Sequence, residues 1–377
     1  DHAPDILWDP DGHPVLFRAG VSLRDTGLAA PAITYWQAMA TASLQRLGED
    51  HFDSVLARAN LAASYRQAGR IREAIELLER VVADWERLLG EDYPDTVTAR
   101  ANLAVSYGQA GRIREAIELL ERVVADWERL LGEDHRDTVL ARANLAASYG
   151  QAGRTEKAIA IEERVVADRE QLLGEDHPDT VTARANLAAS YGQAGRTGEA
   201  MVIEERVVAD RERLLGEDHP DTVLARANLA ASYKQAGRTE KAIAIKERVV
   251  ADRERLLGDD HPDTVLARAN LAASYKQAGR TGEAIELLER VVADSERLLG
   301  DDHPSTVLAR ANLAASYKQA GRTGEAVELL ERVVADSERI LGEDHPDTVI
   351  ARQVLSKWRE PGWLLRVVRR LSRRGGR

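Results

Sequence analysis

Apolar side chains along this chain fall on two successive helical stripes, and the pair of stripes then starts again 42 residues later. In the stretch 49–90, Leu61 and Tyr65 lie four apart with Ala62 beside them. Ala74, Leu78, Val81, Trp85 and Leu88 follow at spacings of 4, 3, 4 and 3. Each stripe predicts a helix with one buried face. Gly69 separates them and supplies the left-handed conformation that ends a helix. Asp53 or Ser54, after the turn residues "GEDHF", is the predicted cap of the first helix. The second is predicted to start near Arg72 and run to Leu89, with Glu76, Arg80 and Asp84 on its outer face.

Gly48, Gly90, Gly132, Gly174, Gly216, Gly258, Gly300 and Gly342 recur every 42 residues and delimit seven repeats over 49–342. A degenerate repeat over 14–48 precedes them, with Gly27 where Gly69 stands and Ala32 where Ala74 stands. Residues 1–13 read as a linker or the remnant of a preceding segment; the chain starts at Asp1, so a preceding segment is expected to have been removed or left out. A partial repeat over 343–360 closes the array, and 361–377 form a basic amphipathic tail. One hairpin cannot bury a wide apolar face alone, whereas stacked neighbours can, which is why the repeat recurs.

The run "NLAASYKQAGRTGEAIELLERVV" resembles a tetratricopeptide repeat (TPR), with Leu61, Ala62, Tyr65, Gly69, Ala74 and Leu78 at that family's signature spacings. The 42-residue period and the "LGEDHPDT" linker are similar to the long variety of kinesin light chains and of bacterial regulators with nucleotide-binding switch domains. The resemblance implies an all-α fold, a right-handed superhelical solenoid of stacked helix-turn-helix hairpins. It also implies a non-catalytic scaffold that binds a protein or peptide in its concave groove, here as the sensor part of a larger bacterial regulator.

Two departures stand out. The family's aromatic at the start of the first helix is Arg58 and its equivalents in every repeat. The large apolar position of Leu78 becomes Glu162, Glu204 and Lys246 in three consecutive repeats. Ile161, Ile203 and Ile245 next door are expected to take over the packing, in preference to charges that pair between repeats, because isolated buried charge is costly. Trp85 and Trp127 become Arg169, Arg211 and Arg253, then Ser295 and Ser337, which reads as an exposed or partly exposed position. Two exposed Trp would then mark contact with a preceding domain, or pack against the next repeat.

Leu56, Asn60, Ala63 and Gln67 form a second stripe on the first helix, which the resemblance places on the groove. Asn60, Asn102, Asn144, Asn186, Asn228, Asn270 and Asn312 would then form a ladder. An Asn amide offers both a donor and an acceptor, so it can hold the backbone of an extended peptide without reading its sequence. The alternative is that duplication copied an inter-helix tie. Gln193, Gln235 and Gln277 continue the stripe, and Lys234, Lys276 and Lys318 beside it would attract an acidic segment or a terminal carboxylate, unless they are solvated surface.

Composition narrows the remaining classes. The chain has no Cys, which excludes a disulfide framework and a thiolate metal site and makes a reducing, cytoplasmic home the expectation. The net charge is −11; residues 357–377 hold eight basic side chains against one acid, so the rest carries −18. Such an acidic body argues against nucleic acid. The sequence shows none of the phosphate-loop, nucleophile-elbow or zinc-helix motifs, so no catalytic, metal or cofactor site is expected. A His in nearly every linker reads as linker structure. The tail, with Trp363, Leu364, Val367, Val368 and Leu371 on one face, reads as a terminal cap; contact with a membrane or an acidic partner is the alternative. The rival to a peptide-binding scaffold is a self-assembling module that associates end to end or through the tail, as a homo-oligomer.

Overall fold

Local signals fix where each helix begins and ends. The computed structural model describes residues 5–8 and 11–359, which form 17 α-helices after a short 3-10 turn at Asp5–Trp8; no strand occurs among the described residues. The basic tail at 361–377 lies outside the described residues. Helices α1 (Pro14–Asp25) and α2 (Ala29–Leu47) form the first hairpin. The following first helices are α3 (Phe52–Gln67), α5 (Pro94–Gln109), α7 (Arg136–Gln151), α9 (Pro178–Gln193), α11 (Pro220–Gln235), α13 (Pro262–Gln277) and α15 (Pro304–Gln319). Their partners are α4 (Ile71–Leu89), α6 (Ile113–Leu131), α8 (Thr155–Leu173), α10 (Thr197–Leu215), α12 (Thr239–Leu257), α14 (Thr281–Leu299) and α16 (Thr323–Leu341), and α17 (Pro346–Arg359) ends the series.

The caps differ from the expectation at Asp53 or Ser54. His51 is the N-cap of α3, its Nδ1 accepting from the backbone N–H of Asp53 at 3.2 Å. His135, His177, His219, His261, His303 and His345 do the same. The recurring His is therefore a cap, satisfying one of the donors that a helix start leaves unpaired. One step inside, the Thr96 hydroxyl donates to the carbonyl of Gly90 at 2.9 Å, tying helix to linker. At the far end Gly69 adopts φ +75°, and the Arg70 N–H reaches back to the Tyr65 carbonyl at 2.9 Å.

The chain divides into two compact units, Asp1–Ile203 and Glu204–Arg377. In the first, each helix from α2 to α9 packs on the next, and α3, α5 and α7 also touch in succession. Ala62, Ile75, Leu78 and Leu103 form one core layer and Ala104, Ile117, Leu120 and Leu145 the next. In the second unit, α11 to α17 stack in the same way, with Ala272, Ile285, Leu288 and Leu313 as a typical layer. No described helix is long and apolar enough to cross a membrane.

The three charged positions behave as expected only in part. Ile161, Ile203 and Ile245 do join core clusters. Glu162 nevertheless stays buried, bonded to the Ser190 hydroxyl, with its Oε2 unpartnered. Glu204 turns likewise to Ser232, and the Lys246 ammonium donates to Ser274 Oγ at 2.8 Å. Among the described residues none of these charges meets an opposite charge. Burial raises the Glu162 carboxyl above the usual carboxylate range, and the Ser190 bond offsets this only in part. The folded chain thus holds that proton more tightly than the unfolded one, and the associated stability is lost as pH rises through the raised pKa. Glu162→Leu is therefore expected to stabilise the chain by about 1.5–3 kcal/mol at neutral pH. The gain should shrink in urea melts near the ordinary carboxylate pKa of about 4.3. An equal gain at both pH values would show that the native carboxyl does not titrate as its burial requires.

Trp85 and Trp127 correct the expectation of an exposed position: they are only 3% and 4% exposed. Trp85 packs on Val55, Val81 and Ala99, and Phe52 stacks over it with ring centroids 6.2 Å apart. Arg169, Arg211 and Arg253 substitute by a different route, each donating from its guanidinium to the carbonyl of Asp179, Asp221 or Asp263 at 2.8 Å. Ser295 and Ser337 are as buried as the Trp residues they replace.

Candidate functional site

The first helices carry the candidate stripe, and the structure separates the part that holds hairpins together from the part left unbonded. Arg100, 1% exposed, contacts Glu86 on the preceding hairpin at 2.7 Å and Asp126 on its own at 3.2 Å. It also donates to the Glu91 carbonyl at 3.0 Å. Arg142 repeats this with Glu128 at 2.7 Å and Asp168 at 2.9 Å, as does Arg226 in the second compact unit with Glu212 at 2.6 Å and Asp252 at 2.5 Å. Asp84, assigned by spacing to an outer face, turns to Arg58 at 2.7 Å for the same reason. A second tie joins Tyr107 to Glu79 at 2.9 Å, where burial and then that carboxylate push the phenol up to about 12. The arginines and tyrosines are the inter-hairpin ties. The available sequence signal was an acid 14 residues before each Arg from Arg100 to Arg310 and another 26 residues after it; Arg58 has only the second, with Leu44 at the first position.

Only the first Asn of the ladder makes such a tie: the Asn60 Oδ1 accepts from Arg24 of the preceding hairpin at 3.1 Å, while its Nδ2 donates to the Leu56 carbonyl at 3.0 Å. Asn102 and Asn144 are half-buried; Asn186, Asn228, Asn270 and Asn312 are exposed. The side-chain amides of these six bond to no other group among the described residues, although backbone carbonyls of the ladder accept from Ser hydroxyls one turn later. Gln193, Gln235 and Gln277 are exposed. Lys234 is exposed and Lys276 half-buried, whereas Lys318 turns away, its ammonium 5.6 Å from the Trp358 ring centroid.

In the first compact unit the stripe opens into a polar concavity of about 630 Å³, lined by Arg24, Ala63, Arg66, Gln67, Asn102 and Gln109, with Asp25 at its edge. Arg66 sits at the position that Lys234, Lys276 and Lys318 occupy elsewhere, and among the described residues its guanidinium has no carboxylate partner. Burial and the neighbouring Arg24 charge lower its pKa. Two guanidinium groups thus face one cavity, with Asp25 as the only acid, 3.4 Å from Arg24 and exposed.

One group of three potential metal ligands lies close together among the described residues: Asp11, His51 and Asp53. Their atoms are already engaged. His51 caps α3 through Nδ1 and meets Asp11 through Nε2 at 3.1 Å, and Asp53 accepts from the Gly12 N–H at 2.8 Å.

Repeated antiparallel hairpins, a fixed 42-residue period and an unbonded polar stripe define the class of helical-repeat interaction scaffolds. Within that class, a model described as tetratricopeptide repeat matches residues 53–126, 102–171, 227–297 and 266–336, and a second such model matches 180–221. The chain belongs to the tetratricopeptide repeat family. A kinesin light chain protein of Podosopora anserina with nearly identical TPR-like repeats is 33% identical, over 54% of this chain and 97% of that one, with a TM-score of 0.50. BtubC (BKLC) of P. vanneervenii is 22% identical over 62% of this chain and 94% of its own, with a TM-score of 0.50. The C-terminal part of a TPR protein of Cytophaga hutchinsonii is 13% identical over 78% and 98%, with a TM-score of 0.53. The last two likenesses speak for the fold alone. No curated protein sequence matches the chain. The fold is one that typically serves as a non-catalytic protein-interaction scaffold.

Proposed function

We propose that the chain holds an extended protein or peptide segment along the Asn stripe of its first helices, as the sensor part of a larger bacterial regulator. The supporting observation is the division of labour between polar residues. Buried Arg and Tyr side chains tie the hairpins, which leaves six Asn amides unbonded at one register. An unbonded amide costs little in water and gains a donor and an acceptor when a peptide backbone lies across it. The concavity at Arg24 and Arg66 adds a preference for a carboxylate or other anionic group, since two adjacent guanidiniums relieve their repulsion by sharing an anion.

Peptides selected from a random library on the folded chain test this reading. Replacing Asn228, Asn270 and Asn312 together by Ala removes up to three backbone bonds, each worth about 0.5–1.5 kcal/mol. Affinity for the selected peptides is expected to fall by one to three orders of magnitude, roughly. The melting temperature should stay unchanged. A triple variant that melts early and binds as before would make the Asn residues structural and place the ligand elsewhere.

A further inference from the structure

The Trp-to-Ser change between repeats leaves a specific shape behind. Trp85 fills a space bounded by Val55, Leu56, Ala59, Val81, Leu88 and Ala99. Two repeats in the second compact unit keep those walls and lose the ring. Under Ser295 lies a hollow of about 300 Å³ walled by Val265, Leu266, Ala269, Val291, Leu298 and Ala309. Under Ser337 lies one of about 520 Å³ walled by Val307, Leu308, Ala311, Val333, Ile340 and Ala351. Each wall residue stands 210 or 252 residues after its counterpart around Trp85. Leu308 borders both hollows, and Asn312 of the candidate stripe lines the first.

We propose that these hollows are aromatic anchor sites, each receiving the ring of a Trp, Tyr or Phe side chain from the bound segment. The proposal rests on the peptide-binding reading above and names the side chains that reading leaves open. The chemistry of the occupant is written in the chain itself, because these walls close over an indole at Trp85, and also at Trp127 where Thr98 stands in the Leu56 position. An apolar cavity of about 150 Å³ already admits a benzene ring, and aromatic anchors seated in preformed pockets dominate many interfaces. Charge adds a second preference. Asp347 borders the Ser337 hollow in a chain of net charge −11, so a basic residue beside the ring complements the rim.

The double variant Ser295→Trp and Ser337→Trp refills both hollows with the chain's own indole and separates the outcomes. It should fold with an unchanged or higher melting temperature, because it restores the packing of the Trp85 repeat. Peptides selected on the unmodified chain should carry an aromatic residue whose change to Ala weakens binding at least tenfold, roughly. They should bind the double variant at least that much more weakly, with no further loss from the peptide's own change. Selected peptides that bind the double variant unchanged overturn the anchor sites and leave peptide binding intact. If selection yields no peptide, the peptide-binding reading fails, and the hollows are read with N-acetyl-tryptophanamide by calorimetry. Saturable binding to the unmodified chain, absent in the double variant, retains them as ring sites, and no binding overturns them. Binding that appears only after Trp363→Ala would assign the hollows to the chain's own tail and overturn a partner's ring as occupant.

Discussion

Arg268→Ala is expected to destabilise the second compact unit by about 2–4 kcal/mol. Removing one partner of a buried ion pair costs about 3–5 kcal/mol, because the other charge is left uncompensated. Arg268 is fully buried between Glu254 at 2.6 Å and Asp294 at 2.9 Å, and it also donates to the Asp259 carbonyl at 3.0 Å. The lower range applies because Glu254 and Asp294 keep 31% and 18% of their side-chain surface in water and can rehydrate. The two carboxylates come from successive hairpins, so the loss falls on the coupling between them, which in a nearest-neighbour array is what makes melting cooperative. Urea melts should show a lower midpoint and a broader transition than those of the unmodified chain. Adding Glu254→Gln and Asp294→Asn should recover part of the loss, since the two less exposed of the three carboxylates around Arg268 are then neutral and the third, Asp259, is largely in water. A midpoint that hardly moves in the single variant would mean that the buried Arg ladder does not tie the hairpins.

Trp127→Ser is expected to cost about 3–5 kcal/mol, the range for truncating a large buried aromatic side chain. Trp127 is 4% exposed against Val97, Val123 and Ala141, and the mutation copies the side chain found at Ser295 and Ser337. The cost divides into lost transfer energy and an unfilled cavity, and the cavity part is what a small aromatic can return. Thermal melts of the variant should therefore rise with added indole, while those of the unmodified chain respond less. A loss below about 1 kcal/mol would show that the walls collapse onto the vacancy, as they can at sites able to relax.

How much could be read before folding differs by residue. The helix stripes of Leu61, Ala74, Leu78 and Val81 and the stop at Gly69 were legible, because helix period and glycine conformation are local. His51 as a cap was not, since Asp53 and Ser54 stood in the same turn with stronger capping preferences; the structure instead leaves Ser54 buried with its hydroxyl unpartnered. Asp84 was misplaced by an i,i+4 pattern that cannot see Arg58 one helix away.

Short-range signals along the chain settle the hairpin, its 42-residue period and the register that puts every Asn at one place, since each follows from contacts within a few turns of one helix. Which polar groups lie inside depends on contacts between helices. Arg100 is buried because Glu86 and Asp126, on two other helices, converge on it, and no spacing within its own helix reports that. The Trp85 position read as exposed because Trp, Arg and Ser share it. Stacking shows that one buried site can be filled by a ring, capped by an Arg stem that carries its charge to the surface, or left hollow. A string of letters records a substitution, whereas only the walls contributed by neighbouring helices decide whether it leaves a surface or a vacancy.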